Sequence, residues 1–237
     1  PIGIFDSGFG GLTVARAIID LLPSEDIVYF GDTSRYPYGP QPLGEVKSYS
    51  QQISEYLIAE HDVKMIVIAC NTASAAAEAN LRDFTEIPIV GVIKPGAQAV
   101  AEVSATKRIG VIGTVGTINS QAYDNAIKET SQENIELTSV ACPGFVEFVE
   151  RGEFEGEQVN ILADRLLAPV IQANVDALLL GCTHYPYLAR AIGESVGEDV
   201  ILVSSADETA FAVAKSLRAK DLESTNINQG NRTFISS

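Results

Sequence analysis

Two segments constrain this chain most: Val63-Lys-Met-Ile-Val-Ile-Ala-Cys-Asn-Thr-Ala-Ser74 and Val175-Asp-Ala-Leu-Leu-Leu-Gly-Cys-Thr-His-Tyr-Pro-Tyr187. In each, a short apolar run stops at a small polar group led by a cysteine. The runs Met65 to Ala69 and Ala177 to Leu180 predict buried central strands. A polar cluster just past a strand's carboxyl end is where open α/β sheets hold their ligands. One strand-end cysteine beside a threonine can be chance. Two in matching settings predict two halves that face each other across a cleft.

The N-terminus carries a related signal. Ile2-Gly-Ile-Phe5 predicts a strand, Asp6-Ser-Gly-Phe-Gly-Gly11 a glycine turn, and Leu12 to Leu22 a helix. Strand, glycine turn and helix together expose backbone N–H groups that suit an anion. The turn lacks the Gly-Lys-Ser/Thr of a P-loop, and Thr13 occupies the last glycine position of a dinucleotide fingerprint. Ile109-Gly-Val-Ile-Gly-Thr-Val-Gly-Thr117 repeats the opening at an offset of 107 residues, and the two cysteines are 112 apart. A tandem duplication explains both offsets. The overlay puts Thr114 on Ser7 and Gly113 on Asp6.

Further strands are predicted at Asp26–Phe30, Ile87–Val90, Glu136–Val140 and Val200–Val203. Helices are predicted at Leu43–Glu60, Ala73–Leu81, Ser120–Thr130, Val159–Ala173, Tyr187–Ser195 and from Ser205 through Leu217. Pro169 is expected to kink or divide its helix. Ile93-Lys-Pro-Gly96 is expected to be a crossover, and the polar tail from Asn226 to be loose. Gly31 to Pro40 is a loop dense in turn formers, the kind that carries function or moves.

Composition narrows the function. With 237 residues and 46% apolar content, the chain can fill one large or two small α/β domains. A net charge of -15 disfavours nucleic acid, which needs clustered Lys and Arg. No apolar span reaches membrane length, so no transmembrane helix is expected. The chain as given has no basic-then-apolar leader. Three cysteines make no disulfide scaffold, and a reducing, cytoplasmic setting is expected. Surplus acid repels anions at long range, so an anion site has to be made by local neutral donors.

Two thiols on opposite lobes allow four kinds of chemistry. Zinc wants about four close ligands, and only His184 and Asp6 stand near; no metal is expected. A disulfide conflicts with the expected compartment. Cys182 with His184 as base would make a nucleophile, but a spacing of two residues does not establish contact. The fourth is an acid/base pair on opposite faces of a bound molecule. That explains why there are two: inverting a carbon acid needs a base on one side and an acid on the other. A thiol suits both roles, with a reference pKa of about 8.5. Ser7, Asn71, Thr72, Thr114, Thr117 and Thr183 supply neutral donors for a carboxylate; Arg35 is either an extra donor or solvent-exposed. The plainer readings are a buried strand-end cysteine behaving as a small hydrophobe, Asp6 as a helix cap, and His184 bonded to a carbonyl. Cys142, before a proline, is structural on this reading.

Phe5-Asp-Ser-Gly-Phe-Gly-Gly-Leu12, Tyr36-Pro-Tyr-Gly39, Ala69-Cys-Asn-Thr-Ala73 and Gly181-Cys-Thr-His-Tyr-Pro186 together resemble the glutamate racemase family, in order, from residue 2 to about residue 215. The resemblance implies two similar α/β domains with mainly parallel sheets, related by pseudo-symmetry, with the site in the interdomain cleft. It implies a crossover near Lys94 and a return near Ser204: residues 1–94 with 205–237, and 95–204. It implies Cys70 as base for D-glutamate assisted by Asp6, and Cys182 as base for L-glutamate assisted by His184 and Glu150. Asn71, Thr72 and Thr183 would hold the α-amino and α-carboxylate groups. Ser7, Tyr38 and Gly39 would hold the side-chain carboxylate, and Thr114 and Thr117 would add second-lobe contacts. The resemblance further implies L- or D-glutamate as substrate, a product that serves peptidoglycan and no cofactor, and it admits a homodimer. Where the family usually has proline this chain has Glu147, so two glutamates compete; the flanking Arg151-Gly152 points to Glu150. An aspartate or other amino-acid racemase, or a non-catalytic amino-acid-binding protein, are the competing readings.

Overall fold

The computed structural model describes residues 1–130 and 134–237. The chain divides into two compact units, Pro1–Val92 with Ala206–Ser237, and Ile93–Ser205.

The first unit begins with β1 (Ile2–Asp6), α1 (Leu12–Leu21), β2 (Ile27–Gly31), α2 (Leu43–His61), β3 (Met65–Ile68), α3 (Asn71–Phe84) and β4 (Ile89–Gly91). Every residue of β1 and β3 is buried, as expected of parallel strands covered on both faces. Side chains alternate between the faces. Ile2, Ile4, Met65, Val67 and Ala69 pack on one side with Val14 and Ile18 of α1. Phe5, Ile66, Ile68 and Cys70 pack on the other with α2 and α3. Each large aliphatic side chain removed from water in this way contributes about 1.5–3 kcal/mol.

The second unit holds α4 (Ile93–Val103), β5 (Arg108–Gly113), α5 (Val115–Asn119), α6 (Ala122–Thr130), β6 (Glu136–Ala141), α7 (Phe145–Glu150), α8 (Glu157–Gln172), β7 (Ala177–Gly181), α9 (Ala189–Val196) and β8 (Ile201–Ser204). Leu178, Leu180 and Cys182 share one face with Val159, Ala163 and Leu167 of α8 and Ile192 of α9. They lie 112 positions after Ile66, Ile68 and Cys70, and alternate in the same way. The chain then returns to the first unit with α10 (Ala206–Ala219) and β9 (Arg232–Ser236).

Both sheets are parallel. Their orders are β4-β3-β1-β2-β9 and β6-β5-β7-β8. With β9 set aside, the first reads β2-β1-β3-β4 and the second β6-β5-β7-β8: one topology used twice, as the duplication predicts. In each, the strand order reverses between the first strand and the cysteine strand, the place where open sheets bind ligands.

Several expectations are refined or corrected. Ile93-Lys-Pro-Gly96 does open the second unit, as a crossover should, and it forms the first turn of a helix, where Pro95's missing N–H costs nothing. The helix expected at Ser120–Thr130 is α6, starting two residues later at Ala122, and a short helix that was not expected, α5, precedes it, the two parted by Gln121 with φ 56°. Pro169 does not divide α8: it lies near the helix end, and Ala173 N–H closes onto its carbonyl at 3.0 Å. The tail from Asn226 is not all loose. β9 pairs with β2 from Ile27↔Arg232 to Gly31↔Ser236, and the Phe234 ring lies against Tyr29 at 6.1 Å.

Candidate active site

In the first unit, β1 and β3 end side by side, Ala69 N–H donating to the Phe5 carbonyl at 2.9 Å. That places Asp6 and Ser7 beside Cys70. Asp6 is fully buried and accepts from Gly8 N–H at 3.0 Å. Tyr29 OH donates to the Gly8 carbonyl at 2.8 Å and holds the glycine turn. Gly11 allows α1 to start there, since a Cβ would sit 2.5 Å from Asp6 Cβ and 2.9 Å from Ala69 Cβ.

Cys70 is the N-cap of α3, its Sγ accepting from Ala73 N–H at 3.5 Å. Its thiol reaches Ser7 Oγ at 3.9 Å. A helix N-terminus ordinarily stabilises a thiolate. Here burial wins: with Asp6 adding to it, the thiol is pushed up to about 12, against smaller opposing effects of Ala73 and Ser7. Asn71 and Thr72 form the buried first turn of α3. Tyr38 packs in the same buried cluster as Cys70, its hydroxyl donating to Asp32, with Gly39 next in the loop. Arg35 is not an exposed spare donor: Asp32 holds it at 2.6 Å, Gln52 at 2.8 Å, and it lies over the Tyr49 ring at 4.4 Å.

In the second unit, the equivalent strand ends carry Gly113–Thr114 and Cys182. Gly113 and Gly181 are paired across β5 and β7; a Cβ on Gly181 would come within 2.7 Å of the Ile112 carbonyl oxygen. Cys182 Sγ lies 3.7 Å from His184 Nδ1, and His184 Nε2 lies 2.7 Å from Glu150 Oε1. Thr183 Oγ1 is 3.4 Å from the same Nδ1. Cys182, Thr183 and His184 are buried. The glutamate that meets His184 is thus Glu150, at the end of α7; Glu147 sits one turn earlier and is exposed. Thr114 caps α5, accepting from Thr117 N–H at 3.2 Å, with the two hydroxyls 3.0 Å apart. Cys142 is buried among apolar side chains, and burial pushes its thiol up to about 12.

Sequence reasoning passed over three buried residues here. Asp32, Tyr29 and Tyr123 are each almost fully enclosed. Asp32 offered a signal, being a polar residue just past a strand end like Asp6. The tyrosines act through long-range packing, as where Gly181 leaves room for the Tyr123 ring: a Cβ there would come 3.0 Å from it.

Each unit therefore sets one thiol beside a different acid/base partner, a carboxylate for Cys70 and an imidazole–carboxylate relay for Cys182. Such groups can remove and return a proton. Among the described residues no group of three or more His, Cys, Asp or Glu is placed to hold a metal, and no helix is long and apolar enough to cross a membrane.

Residues 8–213 match the family described as Asp/Glu/Hydantoin racemase. The glutamate racemase of Geobacter metallireducens is 50% identical over 234 residues, covering 99% of this chain and 86% of that one. The crystal structure of glutamate racemase isoform RacE1 from Bacillus anthracis superposes with a TM-score of 0.94 at 42% identity, over 99% of this chain and 87% of that one. The Francisella tularensis glutamate racemase, solved with D-glutamate, gives 0.92 at 37% identity, over 100% and 87%.

Proposed function

Since this chain belongs to the Asp/Glu/Hydantoin racemase family, we propose that it interconverts L- and D-glutamate by a two-base proton transfer that uses no cofactor. One observation carries the proposal. Equivalent strand ends of one duplicated topology each present a buried thiol with its own acid/base partner. Glutamate as substrate is supported by the relatives that bear its name and by the D-glutamate complex among them.

In the proposed reaction, one sulfur as thiolate removes the α-hydrogen, and the C–H electron pair stays on carbon, delocalised into the α-carboxylate. The other sulfur, as thiol, returns a proton to the opposite side. Inversion requires the two to act on opposite faces. Burial keeps Cys70 protonated at neutral pH, which readies it as donor, while Cys182 passes its own proton to His184, whose imidazolium the Glu150 carboxylate holds, and acts on L-glutamate as thiolate. In the reverse direction Asp6 assists Cys70 as base for D-glutamate. Asn71, Thr72 and Thr183 hold the α-amino and α-carboxylate groups. Ser7 and the Tyr38–Gly39 backbone hold the distal carboxylate, with Thr114 and Thr117 contributing from the second unit. Neutral donors hold the two carboxylates without competing cations. Both thiols have to stay reduced, which fits a cytoplasmic setting supplying D-glutamate for peptidoglycan.

The test is optical rotation of D- and of L-glutamate in deuterated water with no cofactor added. Rotation should decay from either side, with one deuterium at the α-carbon of the product. Binding without deuterium uptake would make the chain a binding protein; uptake on aspartate in place of glutamate would change the substrate.

A further inference from the structure

Asp32 stands just past β2, is fully buried, and has no part in the proton transfer. Its carboxylate gathers three donors: Tyr38 OH and Arg35 Nε on Oδ2, and Ser237 Oγ on Oδ1 at 3.0 Å. Its own N–H donates to the Asp6 carbonyl at 3.0 Å. The loop it heads is closed further by Gln41, which donates to the carbonyls of Arg35 at 2.5 Å and Pro37 at 3.0 Å.

The duplicated fold supplies an internal control. In the second unit, Cys142 stands just past β6, and its N–H donates to the Gly113 carbonyl at 2.9 Å. Gly113 overlays Asp6, so Cys142 is the positional equivalent of Asp32. There a neutral side chain suffices, and the nearby tyrosine, Tyr185, donates to the Cys142 carbonyl instead. The fold therefore does not require a carboxylate at this place. Burying one is costly unless several donors meet it, and the donors that meet Asp32 come mainly from the loop that carries Tyr38 and Gly39.

We propose that Asp32 is a positioning residue: its carboxylate fixes the loop from Thr33 to Pro40 against the Cys70 end of the sheet, presetting the backbone that receives the distal carboxylate of the substrate. This rests on the glutamate reading above. A preset loop acts on ground state and transition state alike, so its loss raises KM and leaves kcat nearly intact.

The experiment compares the full chain with Asp32→Asn, reading KM and kcat for both enantiomers and amide hydrogen exchange of residues 33–41. Expected are a KM raised about tenfold or more, kcat within about threefold, and faster exchange in the loop with β1 and β3 unchanged. Cys142→Ala, at the equivalent position, should leave KM within about twofold. KM within twofold of the parent, a fall in kcat at unchanged KM, or unaltered loop exchange overturns the proposal. Should Asp32→Asn not fold, Tyr38→Phe and Arg35→Gln each remove one of the bonds; each should raise KM, and no change in either overturns it. If the unaltered chain does not racemise glutamate, the substrate reading fails, and loop exchange still decides the role of Asp32.

Discussion

Asp6→Asn separates two effects of one carboxylate. Cys70 is raised from 9.0 to about 12, chiefly by burial and next by the charge of Asp6. At pH 8 a thiol of pKa 12 is ionised about once in ten thousand, against about once in ten for a pKa of 9. Removing the charge leaves the burial, so the pKa should fall by roughly one to two and the thiolate rise about ten- to a hundredfold. The amide oxygen of asparagine can still accept from Gly8 N–H, which preserves the turn. The readout is alkylation of Cys70 by iodoacetamide between pH 7 and 9, followed on its peptide by mass spectrometry, where rate follows thiolate. Racemisation should move oppositely, falling about a hundredfold or more with loss of the assisting base. It should fall equally in both directions, because the equilibrium constant is one and kcat/KM must match. Slower or unchanged alkylation would refute the electrostatic part. Racemisation unchanged or faster would refute the assisting role.

Other perturbations test the surroundings. Glu150→Gln should lower kcat/KM about tenfold by removing the carboxylate 2.7 Å from His184 Nε2, whereas Glu147→Gln should stay within about twofold; steady-state kinetics on the pair decide it. Gly11→Ala drives a Cβ to 2.5 Å from Asp6 Cβ and should cost about 1–3 kcal/mol in chemical denaturation, with activity falling alongside. Cys70 and Cys142 are both raised from 9.0 to about 12, so the folded state keeps protons that the unfolded state has lost. Their stabilisation is full below pH 9 and declines as pH climbs toward 12, by about 1.4 kcal/mol per thiol per pH unit. Between pH 9 and 11, Cys142→Ala should lose about 2 kcal/mol less stability than the parent under reducing conditions.

What could be read from the chain alone was what local pattern encodes. Apolar runs such as Met65–Ile68 and Ala177–Gly181 can only be covered on both faces, and they became central strands. The repeat at Ile109 anticipated a second copy of the topology. Proline misled at Pro169 for one reason: a helix can carry a proline near its end and give up only one hydrogen bond, as α8 does, whereas Pro95 in the first turn of α4 gives up none. The tail misled for another. Its polarity is that of an edge strand, and what orders it comes from far away: Arg232 bonds to the carbonyls of Pro23 and Glu25, and Ser237 to Asp32. Likewise, a two-residue spacing could not say that His184 turns back onto Cys182 and outward to Glu150, since that depends on the turn after β7 and on where α7 ends. Asp32 was hidden in a loop of turn formers because its partners are three, six and 205 residues away.

The central claim is that both sulfurs are needed, one for each face of the α-carbon. The most direct measurement is racemisation of D- and L-glutamate by Cys70→Ser and by Cys182→Ser, with folding checked by circular dichroism. Two-base transfer predicts that each folded variant loses activity about a thousandfold or more in both directions. A variant lacking either sulfur that still turns over both enantiomers at the parent rate would contradict it.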